Sequence, residues 1–506
     1  MNEEYNRRRF IQTIFLGSLI LTCSCQRAPR LPNILLIISE DGGTDLGCYG
    51  NAYNKTPQLD SLARKGILFT NAYVTQAGCS PSRSSILTGT FPHENGQIGL
   101  ATHKYRLYKE STTNIISSLK EAGYRTGLVG KLHVNPEENF PFDFRIDGPF
   151  IHFDRYVRKM ADAANGFITQ SNAPFFLMVC YMDTHTADNA KGSDVYPKQK
   201  IGLPANPLKA ENVEALPALG VTSPQIKATT ANYYNCWNRL DTGVGILLDY
   251  LKKAGKDKNT LIIFLSDHGP QMSRAKMTNY DFGTHVPLII YDPKVSRHGK
   301  VNHELVSTID LAPTLLEYAG IKKPGNLNGK SLLPFIRGKS VPWRDYLFTE
   351  FTVHWPETCF PQRSVRDKQY KLTKNLLTGT TNPLYNMYFG RYQWDVVEND
   401  LKSASPVIQK AYQTFNNPPP YELYDLKNDP YEFVNLADKP EIKPVLDRLL
   451  NQLEKWQQET DDPLRYPEIL KKLTEENNAT MPNGVYENVS KKDDFQWKYP
   501  EYFFKR

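Results

Sequence analysis

Cysteine is scarce in this chain: seven residues in 506, namely Cys23, Cys25, Cys48, Cys79, Cys180, Cys236 and Cys359. A set so sparse in a chain so long excludes a disulfide framework as the source of stability. Blocks of lysine and arginine are absent as well, although the 61 basic residues exceed the 54 acidic ones and leave a formal net charge of +7. So thin an excess suits an anionic ligand and gives no support to nucleic-acid binding. Low-complexity tracts are missing too. With 40% apolar and 23% charged residues, the composition is that of an ordinary folded protein. No apolar run reaches the roughly 20 residues that span a bilayer as a helix.

The apolar run at residues 10–22 is too short to span comfortably, comes after Arg7-Arg8-Arg9 and ends at Cys23-Ser24-Cys25. It reads as the core of an export signal. A cysteine directly after such a core resembles a bacterial lipoprotein attachment site, and Arg7-Arg8-Arg9-Phe10-Ile11 resembles a twin-arginine signal. A simple cleaved signal is the alternative. Residues 1–25 are therefore expected to direct export to the periplasm or outer membrane of a Gram-negative bacterium, with a possible lipid tether at Cys23 or Cys25.

A chain of this length exceeds what one hydrophobic core usually serves, so two domains are expected. Short, continuous apolar runs stand at 33–38, 126–129, 175–179 and 261–265, as strands buried on both faces do. Helical patterns at 113–122 and 233–254 lie among them. This rhythm predicts an α/β fold, a doubly wound and mostly parallel sheet, over residues 30–341. A smaller α+β domain is expected over 342–506, with a turn at 425–430 and an amphipathic helix carrying Leu446, Leu449, Leu450, Leu453 and Trp456. Each strand run leads into chemically loaded residues: Glu40-Asp41, Lys131-Leu132-His133, Asp183-Thr184-His185 and Asp267-His268. In open α/β sheets ligands bind outside the carboxyl ends of the strands, so these groups are expected around one crevice. Loops are polar in any case, but four coincidences of acid, histidine and lysine make that plainer explanation weak.

The sharpest local pattern is Cys79-Ser80-Pro81-Ser82-Arg83, continued by Leu87-Thr88-Gly89. The proline and the helix-compatible run behind it put Cys79 near a helix N-terminus, where negative charge is stabilised, and a thiolate nucleophile is expected there. A buried structural cysteine is the plainer alternative. The segment resembles the signature of the type I, formylglycine-dependent sulfatases, and the resemblance extends from about residue 32 to 463. It implies an alkaline-phosphatase-like fold and oxidation of Cys79 to formylglycine by a separate maturation enzyme. One hydroxyl of the hydrated aldehyde would attack sulfur and the second would expel sulfate.

The same resemblance implies one divalent metal, calcium, held by Glu40, Asp41, Asp267 and His268 together with the group made from Cys79. Two positions depart from the family pattern, which usually has Asp at 40 and Asn at 268; the nitrogen of His268 brings manganese or zinc into view. Arg83 is expected to anchor the nucleophile, Lys131 and Lys276 to bind sulfate, His133 to hold the formylglycine hydroxyl and His185 to protonate the leaving group. Phe140-Pro141-Phe142-Asp143-Phe144 and the stretch around Lys455-Trp456-Gln457 are similar to the N-sulfoglucosamine sulfohydrolase branch. The substrate so implied is the N-sulfate of glucosamine in a heparin or heparan oligosaccharide, with His103, His354 and Arg363 as candidate sugar contacts. An O-sulfatase on a glycosaminoglycan, mucin or algal glycan is the runner-up. A phosphonate or phosphodiester hydrolase and a glycan-binding lipoprotein that leaves Cys79 unconverted are the readings from other classes.

Overall fold

The first strand sets the architecture. β1 (Asn33–Ser39) is buried at every position, so it must be covered on both faces and paired on both edges. Parallel neighbours flank it, β5 (Phe175–Tyr181) and β6 (Thr260–Ser266). β3 (Arg125–Val129) lies parallel beyond β5, with β4 (Phe144–Ile146) outside it. On the other side β7 (Leu288–Tyr291) runs antiparallel to β6 and to β2 (Ile67–Phe69), and β8 (Lys300–Asn302) closes the edge. The order is β4-β3-β5-β1-β6-β7-β2-β8. The four strands whose ends carry the acids, lysine and histidines, β3, β5, β1 and β6, are consecutive and parallel. Their carboxyl ends therefore share one edge of the sheet.

This computed structural model describes residues 31–108, 113–152, 155–186, 202–295, 299–325, 327–392 and 395–504. The expected export segment, with Cys23 and Cys25, lies outside them. No described helix is long and apolar enough to cross a membrane.

Helices α1 (Pro57–Lys65), α3 (Val157–Thr169) and α4 (Pro224–Lys253) share one core with Leu35, Ile37, Leu177 and Val179. α4 starts at Pro224 rather than at 233 because Ser223 caps it, accepting the Ile226 N–H at 3.3 Å, with proline in the first turn. α2 (Cys79–Thr88) is buried along its whole length and stops at Gly89, whose φ of 73° is the left-handed conformation that glycine takes readily.

The second sheet is antiparallel: β9 (Leu347–Phe351), β10 (Gln362–Arg366), β11 (Tyr370–Asn375) and β12 (Tyr421–Asp425). Between its last two strands runs a helical excursion that includes α5 (Pro406–Asn416). α6 (Lys443–Glu459) lays Leu449, Leu453 and Trp456 on Val365, Leu372 and Leu423 of the sheet. These are the apolar positions expected of that helix. By contacts Pro32–Arg506 is one compact unit; the 341/342 boundary falls inside it, between the two sheets.

Candidate active site

Cys79 opens α2 in the crevice at the ends of β3, β5, β1 and β6, as its proline-led sequence predicts. Around it stand three buried acids. Ligand atoms of Glu40, Cys79 and Asp267 lie within 4.8 Å of one another, and so do those of Asp41, Cys79 and His268 and those of Glu40, Asp41 and His185. The Asp41 N–H donates to Asp267 Oδ1 at 3.0 Å, tying the loops after β1 and β6 together. Gly42 lets this loop lie against α4 and the end of β6: a Cβ there would lie 2.4 Å from the Trp237 ring and 3.0 Å from Ser266 Oγ. The backbone is left-handed at Asp41 (φ 51°) and at His133 (φ 59°), uncommon for residues with side chains and a mark of sites held by their surroundings.

Three cations balance the three acids. Arg83 donates Nε to Asp267 at 3.0 Å, Nη2 to Glu40 at 2.8 Å and Nη1 to the Lys131 carbonyl at 2.9 Å. Lys131 pairs with Glu40, and Lys276 holds both oxygens of Asp41 at 2.9 and 3.0 Å. Burial alone would raise Glu40, but Lys131 and Arg83 keep its carboxyl well below the usual range. Lys276 lowers Asp41 in the same way against burial. Asp267 goes the other way, raised by burial and by the Glu40 charge.

His268 shows why this donor set fits a metal. Its Nδ1 bonds the Gly269 carbonyl at 2.9 Å, which fixes the proton on that nitrogen. Its Nε2 then faces Asp41 Oδ1 at 3.2 Å, Cys79 Sγ at 3.4 Å and Asp267 Oδ1 at 3.8 Å. Nε2, the carboxylate oxygens and the sulfur so gathered are atoms that a cation among them would bind. Glu40, Asp41, Asp267 and His268 are thus brought together as expected.

Several expected roles change. Burial pushes the Cys79 thiol up to about 12, against the thiolate that a helix N-terminus would favour. Arg83 grips Glu40 and Asp267 rather than Cys79, so it organises the acids instead of anchoring the nucleophile directly. Burial lowers His185 to about 4, so its imidazole is neutral rather than near its usual midpoint. Arg363 is no sugar contact. It is wholly buried, pairs with Asp462 at 2.8 and 3.0 Å and stands opposite Glu350 across β9 and β10.

His133 is half-buried with both ring nitrogens enclosed and unpartnered, and desolvation beside Lys131 holds it neutral. His354 is brought to the same place: a Cβ on Gly78 would lie 3.0 Å from its Nδ1, which also has no partner. His103 stands farther out, its ring centroid 6.4 Å from that of Trp355 and its Nδ1 2.5 Å from the Tyr486 hydroxyl. Sequence reasoning missed Gln271, which bonds Lys276 Nζ at 3.2 Å, and Ser266, which takes the Gly42 N–H at 2.9 Å. A lone Gln or Ser after a strand gives no signal of its own.

Acids, cations and open imidazoles gathered at neighbouring parallel strand ends, around a cysteine that begins a helix, define a hydrolase site of the alkaline-phosphatase-like kind. Residues 32–321 match the Sulfatase family, and residues 274–388 match the family described as N-sulphoglucosamine sulphohydrolase, C-terminal. The chain belongs to the sulfatase family, whose members hydrolyse sulfate esters or sulfamates and generally use formylglycine and a divalent metal. It is 33% identical over 466 residues to human N-sulphoglucosamine sulphohydrolase, covering 87% of this chain and 92% of that one. An ulvan-active sulfatase of Formosa agariphila is 32% identical over 440 residues, covering 86% and 81%. A solved 2-O GAG sulfatase superimposes with a TM-score of 0.65 at 22% identity, covering 86% of this chain and 94% of that one, which supports the fold.

Proposed function

We propose that this sulfatase removes sulfate from a sulfated glycan, and that the group removed is the N-sulfate of glucosamine in heparin or heparan fragments. The observation that carries the reading is the convergence of Glu40, Asp41, Asp267, His268, Lys131 and Lys276 on Cys79. The N-sulfate assignment draws its support from the likeness to the human enzyme, which runs through both sheets. The reading includes conversion of Cys79 by a maturation enzyme, and export with a lipid tether through residues 1–25.

Glu40, Asp41, Asp267 and His268 would hold the metal; three carboxylates favour calcium over softer ions. When present, formylglycine supplies the attacking oxygen and the metal acidifies it and polarises sulfate. The remaining work falls to the chain. Lys131 and Lys276 each neutralise a carboxylate in the present arrangement. A divalent cation among those acids would leave the ammonium charges in surplus, available to the sulfate oxygens. His133, with no internal partner, is placed to accept or donate one hydrogen bond to the reacting group. His185 Nδ1 bonds the Thr186 carbonyl at 2.7 Å, which leaves Nε2 to deliver a proton to the departing nitrogen. An entering sulfate would raise this imidazole from its low resting value by its negative charge.

The test is incubation of matured protein with N- and O-sulfated disaccharides, with phosphate and phosphonate esters alongside. Loss of the N-sulfate is expected. Release of a 6-O- or 2-O-sulfate with the N-sulfate intact would sink the N-sulfate assignment in favour of an O-sulfatase, the second reading, which the likeness to the ulvan-active enzyme supports. Preference for the phosphorus esters would sink both.

A further inference from the structure

Lys276 sits on a loop that closes on itself through the Lys276 N–H and the Pro270 carbonyl at 3.1 Å and is pinned from outside at four further points. Arg274 and Met277 flank it with φ of 59° and 69°, left-handed values that residues with side chains keep only where their surroundings impose them. One constraint comes from the nucleophile's own segment: the Met277 N–H donates to the Ala77 carbonyl at 2.8 Å. A second lies at Arg274, whose guanidinium stands 4.3 Å over Tyr280 and 4.9 Å over Phe433 and donates to the Glu432 carbonyl at 2.5 Å.

The remaining two come from the excursion between β11 and β12. Asp395 accepts the Ser273 N–H at 2.6 Å on one carboxylate oxygen and the Ser273 hydroxyl at 2.7 Å on the other. The Tyr388 hydroxyl donates to the carbonyl of Lys276 itself at 3.2 Å. Asp395 is wholly buried, and no ion pair to it is found among the described residues. A buried carboxylate without a cation is unfavourable unless its hydrogen bonds are well made, and here the bonds it makes are to this loop and to the Val396 N–H at 2.7 Å. Neither side chain is among those gathered around Cys79.

We propose that Asp395 and Tyr388 are positioning residues: they clamp the loop of residues 270–278 so that the Lys276 ammonium is presented to the sulfate. The clamp rests on the sulfate-binding role of Lys276 in the proposed function. The excursion at 382–416 is then part of the catalytic apparatus, although it touches none of the reacting atoms.

A double-mutant cycle on the matured enzyme tests it, with kcat and KM resolved separately. Lys276→Ala is expected to lower kcat/KM about 100-fold, and Asp395→Ala about 10-fold. Asp395→Asn keeps one acceptor and should recover to within about threefold of the parent, with Tyr388→Phe at a similar loss. In Lys276→Ala/Asp395→Ala the second loss should vanish, because a clamp has nothing left to position. A residue that only stabilises the fold would multiply its loss in both backgrounds. Losses that multiply, or an Asp395→Ala enzyme with full kcat/KM, would overturn the clamp while leaving Lys276 in place. An unimpaired Lys276→Ala enzyme would overturn the sulfate-binding role and the clamp with it. Should Asp395→Ala fail to fold, Ser273→Ala removes the same hydroxyl bond and enters the same cycle, judged by the same two outcomes.

Discussion

Among the buried clusters of opposite charge in the described residues, two invite comparison, one at the strand ends and one between the small sheet and α6. The second comprises His93, Glu350, Arg363 and Asp462. Arg363 meets both oxygens of Asp462, Gln457 adds a bond to Asp462 at 2.7 Å and the Leu464 N–H another at 3.0 Å, while His93 Nδ1 sits 2.5 Å from Glu350. Apart from His93 Nε2, every polar side-chain atom of these four is met from within. At the strand ends the acids and cations pair just as closely, yet both nitrogens of His133 and Nδ1 of His354 are left over. His268 Nε2 is turned toward two carboxylates and the Cys79 sulfur. Buried charge therefore does not by itself mark a site; hydrogen-bonding capacity that the fold leaves open does.

The comparison breaks if the two clusters respond alike to mutation. Arg363→Ala strands Asp462 without its cation, while Glu350 keeps His93, and is expected to destabilise by about 3–5 kcal/mol. Thermal denaturation should show this, with kcat per folded molecule unchanged. A variant as stable as the parent but unable to use its substrate would return Arg363 to the sugar-binding role that its burial denies. His133→Asn should do the reverse. Asparagine tolerates the left-handed backbone at 133, and the histidine it replaces holds nothing in place. The denaturation midpoint should stay put while kcat/KM falls about 100-fold.

A pH profile sharpens the contrast. Burial would lower His93, but Glu350, with Asp462 and Glu94 behind it, carries the ring up to about 9 from an ordinary 6.5. A histidine raised on folding contributes stability that is complete below 6.5 and is lost as pH climbs through 9, here on the order of 3 kcal/mol. The midpoint of the parent should therefore fall between those values more steeply than that of His93→Gln. Parallel curves would show that the His93–Glu350 pair does not titrate in this range.

Local pattern was informative at one cluster and silent at the other. Four apolar runs buried on both faces gave away their strands, and the groups one to four residues beyond them could be placed at a common edge because parallel strands end together. The Cys79 segment announced its own helix. Nothing local to Arg363 announces its ion pair: its partner Asp462 lies 99 positions on, and no short spacing joins them. Asp395 and Tyr388 are 122 and 112 positions from the loop they hold, with nothing in their own neighbourhoods to mark them. The late placement of the start of α4 has a smaller cause, the unread Ser223-Pro224 cap ahead of a polar first turn.

The smallest expected effect concerns His268, the one nitrogen among the proposed ligands. Calcium is a hard cation that binds oxygen, whereas manganese and zinc accept imidazole readily. His268→Asn offers an amide oxygen in place of Nε2 and makes the protein's contribution to the site all oxygen. The metal affinity of the purified variant should shift toward calcium, relative to manganese, by about tenfold, or about 1.4 kcal/mol in a ratio of dissociation constants measured by calorimetry. Fold stability in chelator should change little, because the asparagine amide can still bond Asp41 in place of Nε2. If the ratio does not move, His268 stands outside the coordination sphere and Nε2 serves a neighbour instead. Nε2 would then belong with the nitrogens of His133 and His354, facing the substrate rather than the ion.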